Sequence, residues 1–291
     1  MINKTFLTIL IVFLSASFVL ANGTEKEKEK FSFAFFTDIH LNKSEFEKTH
    51  GGFQGIDKAI ASAKKQKVDF ILTGGDNVDI DVLGKDAETA HKLYQRYAEI
   101  ITNAGIDYYV SIGNHDRFFG CEETDPLHNE GMFEKYISKS YYSYDHKGWH
   151  FIVLNTSNSV VDDAQKQWLA NDLAKVAPET PIMVSCHVPF LSVYYPALQG
   201  RYTNADTFSN FKEIWDMFND KNLKLVLQGH QHLYEEINAL GVQFITAGAV
   251  SASWWGGPYH GTQEGYLKVN IDGDQFYWEY VDYGWDAKAR N

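Results

Sequence analysis

Five short stretches carry the side chains that could do chemistry: Asp38-Ile-His40, Gly74-Gly-Asp-Asn77, Gly113-Asn-His-Asp116, Ser185-Cys-His187 and Gly229-His-Gln-His232. Each follows directly on a hydrophobic run. A lone histidine or aspartate at the end of a strand carries little meaning, but five such ends in one chain make coincidence a poor account. Asp38, His40, Asp76, Asn114, His187, His230 and His232 form a set of nitrogen and oxygen donors without a thiolate, which suits Mn, Fe, Zn or a similar first-row ion. Two divalent ions held a few ångströms apart need several such ligands and one shared carboxylate. A pair of that kind can clamp an in-line displacement at phosphorus, stabilising the attacking and the leaving oxygen.

The elements that must position these residues are legible from the apolar pattern. Phe31 to Thr37 is a near-continuous apolar run, as for a strand covered on both faces. In an extended chain Asp38 and His40 share a face, with Ile39 turned away. Ile56 to Lys67 has helical spacing, Val68 to Thr73 reads as a strand, and Lys85 to Asn103 as a long helix with Leu93, Tyr97, Ile100 and Ile101 inward. Tyr108 to Ile112 reads as a third buried strand, closed by Gly113. Lys43 to Gly55 reads as a polar loop. Strand–helix–strand–helix–strand is a parallel crossover pattern, and sites in such sheets lie beyond the carboxyl ends of the strands.

The second half is richer in strands. A hairpin is expected from Tyr141–Tyr144 and Trp149–Asn155, an amphipathic helix from Asp162 to Lys175, and a helix over Asn204 to Asn219. Further strands are expected over 180–186, 223–228, 234–238, 242–247, 265–271 and 275–281. His230 and His232 are two apart, which on a strand aims both imidazoles the same way. No repeat and no linker divides the chain, so residues 31–291 are read as one domain.

Residues 1–21 have the form of a secretory signal: Lys4, an apolar core from Phe6 to Leu20, and the small-residue site Val19-Leu-Ala21. An uncleaved anchor is the alternative, although the apolar run is short for a spanning helix. Residues 22–30 read as a charged leader. These features predict an exported protein, periplasmic or extracellular, without a stable membrane anchor once the signal is removed. The net charge of −12 argues against a general nucleic-acid binder. It does not exclude a phosphorylated substrate, since bound metal ions reverse the local field. Cys121 and Cys186 are the two cysteines, too few for a disulfide framework; a single bridge between them stays open.

The ordered set Asp-x-His, Gly-Asp-Asn, Gly-Asn-His-Asp, a strand-end His and Gly-His-x-His resembles the calcineurin-like metallophosphoesterase superfamily. The motifs run from Asp38 to His232. The resemblance implies an α/β fold, a four-layer αββα sandwich of two mixed sheets, with a dinuclear metal site at the strand C-termini. It implies one divalent metal ion on Asp38, His40, Asp76 and His232 and a second on Asp76, Asn114, His187 and His230. His115 is then the non-ligand histidine that protonates the leaving alkoxide, and the nucleophile is hydroxide on the metals. In the related protein Ser/Thr phosphatases an aspartate at the position of Asp79 orients that histidine; a solvated loop acid is the alternative. Those phosphatases follow it with Arg-Gly, where this chain has Ile80-Asp81. The tyrosine of purple acid phosphatases is also absent.

Substrate contacts are expected from Arg117, whose guanidinium matches phosphate oxygens; a surface salt bridge is its alternative. They are also expected from Trp254, Trp255 and Tyr259 in the segment Ser251–His260, which could stack on a base or pack a lipid or sugar group, the alternative for the tryptophans being to close the edge of the core. The resulting expectation is an exported phosphodiesterase. The Asp-x-His and Gly-Asn-His-Asp-Arg runs resemble the cyclic-nucleotide phosphodiesterase branch. A phosphomonoesterase and a catalytically silent metal-binding scaffold are the other two readings.

Overall fold

In β1 (Lys30–Phe36) the side chains of Phe31, Phe33 and Phe35 pack to one side and those of Ala34 and Phe36 to the other, and all five are buried. A strand with apolar residues on both faces needs a layer on each, and the computed structural model supplies both. It describes residues 29–46, 52–201 and 207–287. The leader and the proposed signal, apart from Glu29 and Lys30, lie outside the described residues.

After β1 come α1 (Gly52–Lys65), β2 (Phe70–Thr73), α2 (Ala87–Asn103), β3 (Asp107–Tyr109) and α3 (Gly131–Tyr136). A hairpin of β4 (Tyr142–His146) and β5 (Trp149–Val153) leads into α4 (Asp163–Leu173) and β6 (Pro181–Ser185). Then follow α5 (Tyr194–Gln199), α6 (Phe211–Asp216), β7 (Asn222–Gln228), β8 (Glu235–Ala239), β9 (Val242–Thr246), β10 (Gly265–Asp272) and β11 (Gln275–Asp282). One sheet has the order β11-β10-β1-β2-β3, with β1, β2 and β3 parallel. The other has the order β4-β5-β6-β7-β9-β8, with β5, β6, β7 and β9 parallel and antiparallel strands at both edges.

Phe33, Phe35, Leu72 and Val269 of the first sheet meet Phe151, Met183, Leu225 and Ile245 of the second in the central layer of the core. The outer face of the first sheet packs on α1 and α2 through Ile56, Ile60, Leu93, Tyr94 and Tyr97. The outer face of the second packs on α4 and α6 through Leu169, Leu173 and Ile214. This is the four-layer αββα sandwich of two mixed sheets that the motifs imply. Asp86 and Asp162 cap α2 and α4 by accepting the N–H of Thr89 and Gln165. Among the described residues no helix is long and apolar enough to cross a membrane. Cys121 and Cys186 are both free thiols, so no bridge joins them.

Three expected elements differ. The strand expected over Tyr108–Ile112 pairs only over Asp107–Tyr109, at the sheet edge. Beyond it side chains replace the ladder: Tyr142 Oη bonds both the N–H and the carbonyl of Val110, and Ser111 N–H donates to Thr73 Oγ1. The loop expected up to Gly55 already turns into α1 at Gly52. The helix expected over Asn204–Asn219 is confined to Phe211–Asp216, with residues 202–206 outside the described ones.

Candidate metal centre and its cleft

The strands stop where the chemistry begins. Past β1 and β2 the two chains keep hydrogen-bonding: Asp38 N–H to Gly75 O at 3.0 Å, and Ile39 and His40 N–H to Asp76 O at 2.8 and 2.9 Å. Asp38, His40, Asp76, His230 and His232 all have φ between +52° and +74°. Left-handed backbone is uncommon outside glycine and persists where the surroundings over-determine it, most often at functional sites. Five of the seven candidate ligands sit there. Sequence reasoning placed Asp38 and His40 on an extended chain, and His230 and His232 on a strand. Instead β7 ends at Gln228, and the left-handed turns aim these side chains inward.

The turns are tied to one another. Asp38 accepts the N–H of His230 on both carboxylate oxygens, at 3.1 and 3.0 Å, and the hydroxyl of Thr37 at 2.6 Å. Asp76 Oδ1 accepts the N–H of His115 at 2.8 Å. Asp116, fully buried, accepts the backbone N–H groups of Asn77, Val78 and Gly113 and the side-chain amide of Asn77, all at 2.8–2.9 Å. It thereby fastens the Asp76 turn to the His115 turn. Sequence reasoning read its motif but gave Asp116 no role; the only signal was an acid at the end of that motif. The approach is close enough that a Cβ on Gly113 would lie 2.2 Å from both N and Oδ1 of Asp76. Gly113→Ala is therefore expected to cost about 1–3 kcal/mol of stability by overpacking and to lower bound metal, read by thermal unfolding and elemental analysis. An unchanged melting temperature and metal content would contradict this packing.

Each of three imidazoles has its Nδ1 committed outward. His40 Nδ1 donates to Asp79 Oδ1 at 2.6 Å, His187 Nδ1 to Gly74 O at 2.8 Å, and His232 Nδ1 to Ala252 O at 2.6 Å. Their Nε2 atoms therefore face inward, the arrangement that fixes tautomers in metal sites. His40 Nε2 lies 3.0 Å from His232 Nε2, which is 3.3 Å from Asp38 Oδ1. His187 Nε2 lies 3.1 Å from Asp76 Oδ2 and 3.0 Å from Asn114 Oδ1. Asp76 Oδ2 is also 3.8 Å from His40 Nε2.

Donor atoms of Asp38, His40 and His232 all lie within 4.8 Å of one another, and so do those of Asp76, His187 and His230. Such convergence of acceptors needs positive charge among them. A proton can serve two of them, whereas a divalent cation serves four. The donor set therefore fits divalent metal ions, with Asp76 common to more than one of the converging groups.

The electrostatics agree. Burial pushes Asp38 up, but His232 and His187 bring it down to about 2. Burial also opposes ionisation of Asp76, which His187, His40 and His115 nevertheless hold well below the usual carboxylate range. Burial pulls His187 down and the Asp76 carboxylate lifts it to about 9. Burial and the neighbouring His187 push His230 down to about 4, which keeps it neutral. Both carboxylates thus stay ionised although buried, as suits the binding of a cation.

A cleft of about 230 Å³ opens on these atoms, lined by Asp76, His115, His230 and His232 together with the aromatic rings of Tyr194, Tyr195, Trp254 and Tyr259. A larger cleft of about 550 Å³ beside the β4–β5 hairpin lacks such chemistry. Its His150 is spoken for on both ring nitrogens, by Asp145 at 2.7 Å and Asp172 at 2.9 Å.

The remaining expected site residues divide. His115 lines the cleft, but its Nδ1 bonds Asp81 Oδ1 at 2.9 Å, while Asp79 Oδ1 stands at 3.9 Å. The expected Asp79–His115 pair is thus replaced by Asp79–His40 and Asp81–His115, because the turn after Asp76 presents its two acids to different rings. Burial lowers the His115 pKa, and Asp81, Asp76 and Asp79 together raise it to about 10. Arg117 is turned to Asn129 Oδ1 and Asn158 Oδ1, lies 4.8 Å above the Phe119 ring, and does not line the cleft. Trp255 is core, 1% exposed, and only Trp254 and Tyr259 reach the cleft.

The sequence profile of the calcineurin-like phosphoesterases matches residues 31–234. A 3′,5′-cyclic-nucleotide phosphodiesterase of Nostoc sp. is 26% identical over 217 residues, spanning 71% of this chain and 73% of the relative. A probable cyclic nucleotide phosphodiesterase of Fibrobacter succinogenes is 26% identical over 179 residues, 60% of this chain and 61% of its own. A dimetal phosphatase from Danio rerio has the same fold, with a TM-score of 0.61 at 12% identity over 87% of this chain and 96% of the other.

Proposed function

Because this chain belongs to the calcineurin-like phosphoesterase family and is a metal-dependent phosphoester hydrolase, we propose that it is a phosphodiesterase with two divalent ions. The first ion would be held by Asp38, His40, Asp76 and His232, the second by Asp76, Asn114, His187 and His230. The observation that carries this assignment is the position of Asp76 Oδ2, 3.1 Å from His187 Nε2 and 3.8 Å from His40 Nε2, within reach of both histidines. When bound, the ions supply an activated water near neutral pH and stabilise charge on the phosphoryl oxygens.

The chain's own residues do the rest. Asp79 and the carbonyls of Gly74 and Ala252 orient the ligand imidazoles. His115, held through Nδ1 by Asp81, lines the cleft and is placed to give a proton to the departing alkoxide. Among the described residues lining the cleft there is no lysine or arginine. A phosphodiester carries one negative charge and a monoester dianion two, and beyond the ions and His115 no cationic side chain lines the cleft to meet the second. That favours the diester over the runner-up, a phosphomonoesterase.

The test is a paired assay of metal-stripped protein reloaded with manganese. Faster cleavage of bis-p-nitrophenyl phosphate than of p-nitrophenyl phosphate is expected; the reverse order promotes the monoesterase. We also propose that the protein is exported through residues 1–21. Secreted or periplasmic protein beginning at Asn22 is the expected result, and protein retaining Met1 in the cytoplasm overturns it.

A further inference from the structure

Trp254 and Trp255 are neighbours in sequence and opposites in environment. Trp255 is 1% exposed; its indole N–H donates to His40 O at 3.4 Å, and its ring packs against Trp285 with centroids 5.4 Å apart. Its ring fills the space beside Gly55, where a Cβ would lie 2.0 Å from it. Trp254 is 46% exposed and lines the cleft. Its ring centroid is 4.3 Å from that of His232 and 5.5 Å from that of His40.

The backbone is strained to achieve this split. Ala252, Trp254 and Trp255 have φ of +43°, +47° and +67°, values that a bulky residue adopts only under constraint. The constraint is visible. Ser251 Oγ donates to Asp38 O at 2.7 Å, Trp255 N–H to Ser251 O at 2.7 Å, and Ser253 N–H to Gly257 O at 3.0 Å. Trp255 anchors the turn in the core, and the turn holds Trp254 over the ligand imidazoles with part of its surface open.

We propose that Trp254 is a stacking platform for a planar ring carried by the substrate, so that the preferred phosphoester bears a nucleobase or an aryl group. This rests on the phosphoester reading of the same cleft. Three features favour a flat ring over other substituents. No lysine or arginine lines the cleft among the described residues, and of its lining side chains Trp254, Tyr194, Tyr195 and Tyr259 offer the π faces on which a flat ring can stack. Tyr259 meets Trp254 edge-on, at 89° and 6.1 Å, so the two rings are not stacked face to face on each other. The Tyr259 and Tyr194 hydroxyls are bonded to each other at 2.7 Å, which fixes the aromatic wall beside the platform.

The test compares wild type with Trp254→Ala, Trp254→Leu and Trp254→Phe, all manganese-loaded and checked for metal content. Substrates are adenosine 3′,5′-cyclic monophosphate (a nucleobase), bis-p-nitrophenyl phosphate (a simple aryl group) and glycerophosphocholine (no ring). The Ala and Leu variants are expected to raise KM roughly ten- to hundredfold on the ring-bearing substrates, from the usual worth of a base–aromatic stack. The loss on glycerophosphocholine should be at least fivefold smaller, and Phe should restore most of the difference. A loss confined to the nucleotide or to the aryl ester identifies which ring is meant. Equal losses on all three, or a greater loss on glycerophosphocholine, would overturn the platform. Calorimetric binding of adenosine monophosphate and of glycerol phosphate decides the matter even if no diester is turned over. Wild type idle on diesters fails the phosphodiesterase reading, whereas equal binding of adenosine monophosphate by wild type and Trp254→Ala fails the platform.

Discussion

Asp76→Asn is expected to abolish turnover and to remove at least one of two manganese ions per chain, measured by elemental analysis after gel filtration. The amide keeps the size of the side chain, and its oxygen can still accept the His115 N–H that Asp76 Oδ1 accepts at 2.8 Å. It cannot supply a charged oxygen shared between the His187 and His40 groups. The variant should therefore fold yet lose most of the manganese-dependent rise in melting temperature, since a ligand stabilises only in proportion to its occupancy of the native state. Retention of two ions and a full thermal shift would remove Asp76 from its place between them.

His115→Ala should behave differently. Its Nε2 is 4.0 Å from Asp76 Oδ2, and a ligand atom of His115 also lies within 4.8 Å of those of His40 and Asp76, so metal content is the readout that separates acid from ligand. Metal content is expected to stay at the wild-type level while turnover falls by about two to four decades, the usual worth of a general acid. Loss of an ion would make His115 a ligand, and undiminished turnover would remove it from the reaction. The two neighbouring acids give a finer reading. Asp79→Asn acts through His40 and should weaken metal affinity by about 10–100-fold, with turnover recovering at high manganese. Asp81→Asn acts through His115 and should lower turnover at saturating manganese. Exchange of these two phenotypes would restore the pairing that the sequence alone implied.

That pairing shows where reading from sequence stops. The five ligand-bearing stretches were legible because buried parallel strands read as apolar runs, and a polar residue at the end of each stands out against them. Which imidazole Asp79 serves was not legible. It lies three residues past Asp76, and the turn between decides the matter through backbone torsions with no composition signature. Trp254 and Trp255 pose the same difficulty in sharper form, since identical adjacent residues are separated only by the torsions of a left-handed turn. Tyr108–Ile112 was overread because Tyr142 and Thr73 side chains supply its hydrogen bonds from afar. The helices Gly131–Tyr136 and Tyr194–Gln199 went unread because six residues are too few to display a period.

The strand that delivers Asp38 and His40 is hydrogen-bonded along its other edge to β10, with Phe33 opposite Val269. A nascent chain therefore makes the first ligand turn early and its neighbouring strand late, more than two hundred residues on. Until residues 265–272 have been synthesised, β1 has a bare edge and the aromatic layer between the sheets lies open. Pairings of such long sequence separation are slow to form. A chain whose synthesis has passed His232 but not yet reached residue 265 thus already carries all seven candidate ligands but lacks the strand that closes the other edge of β1.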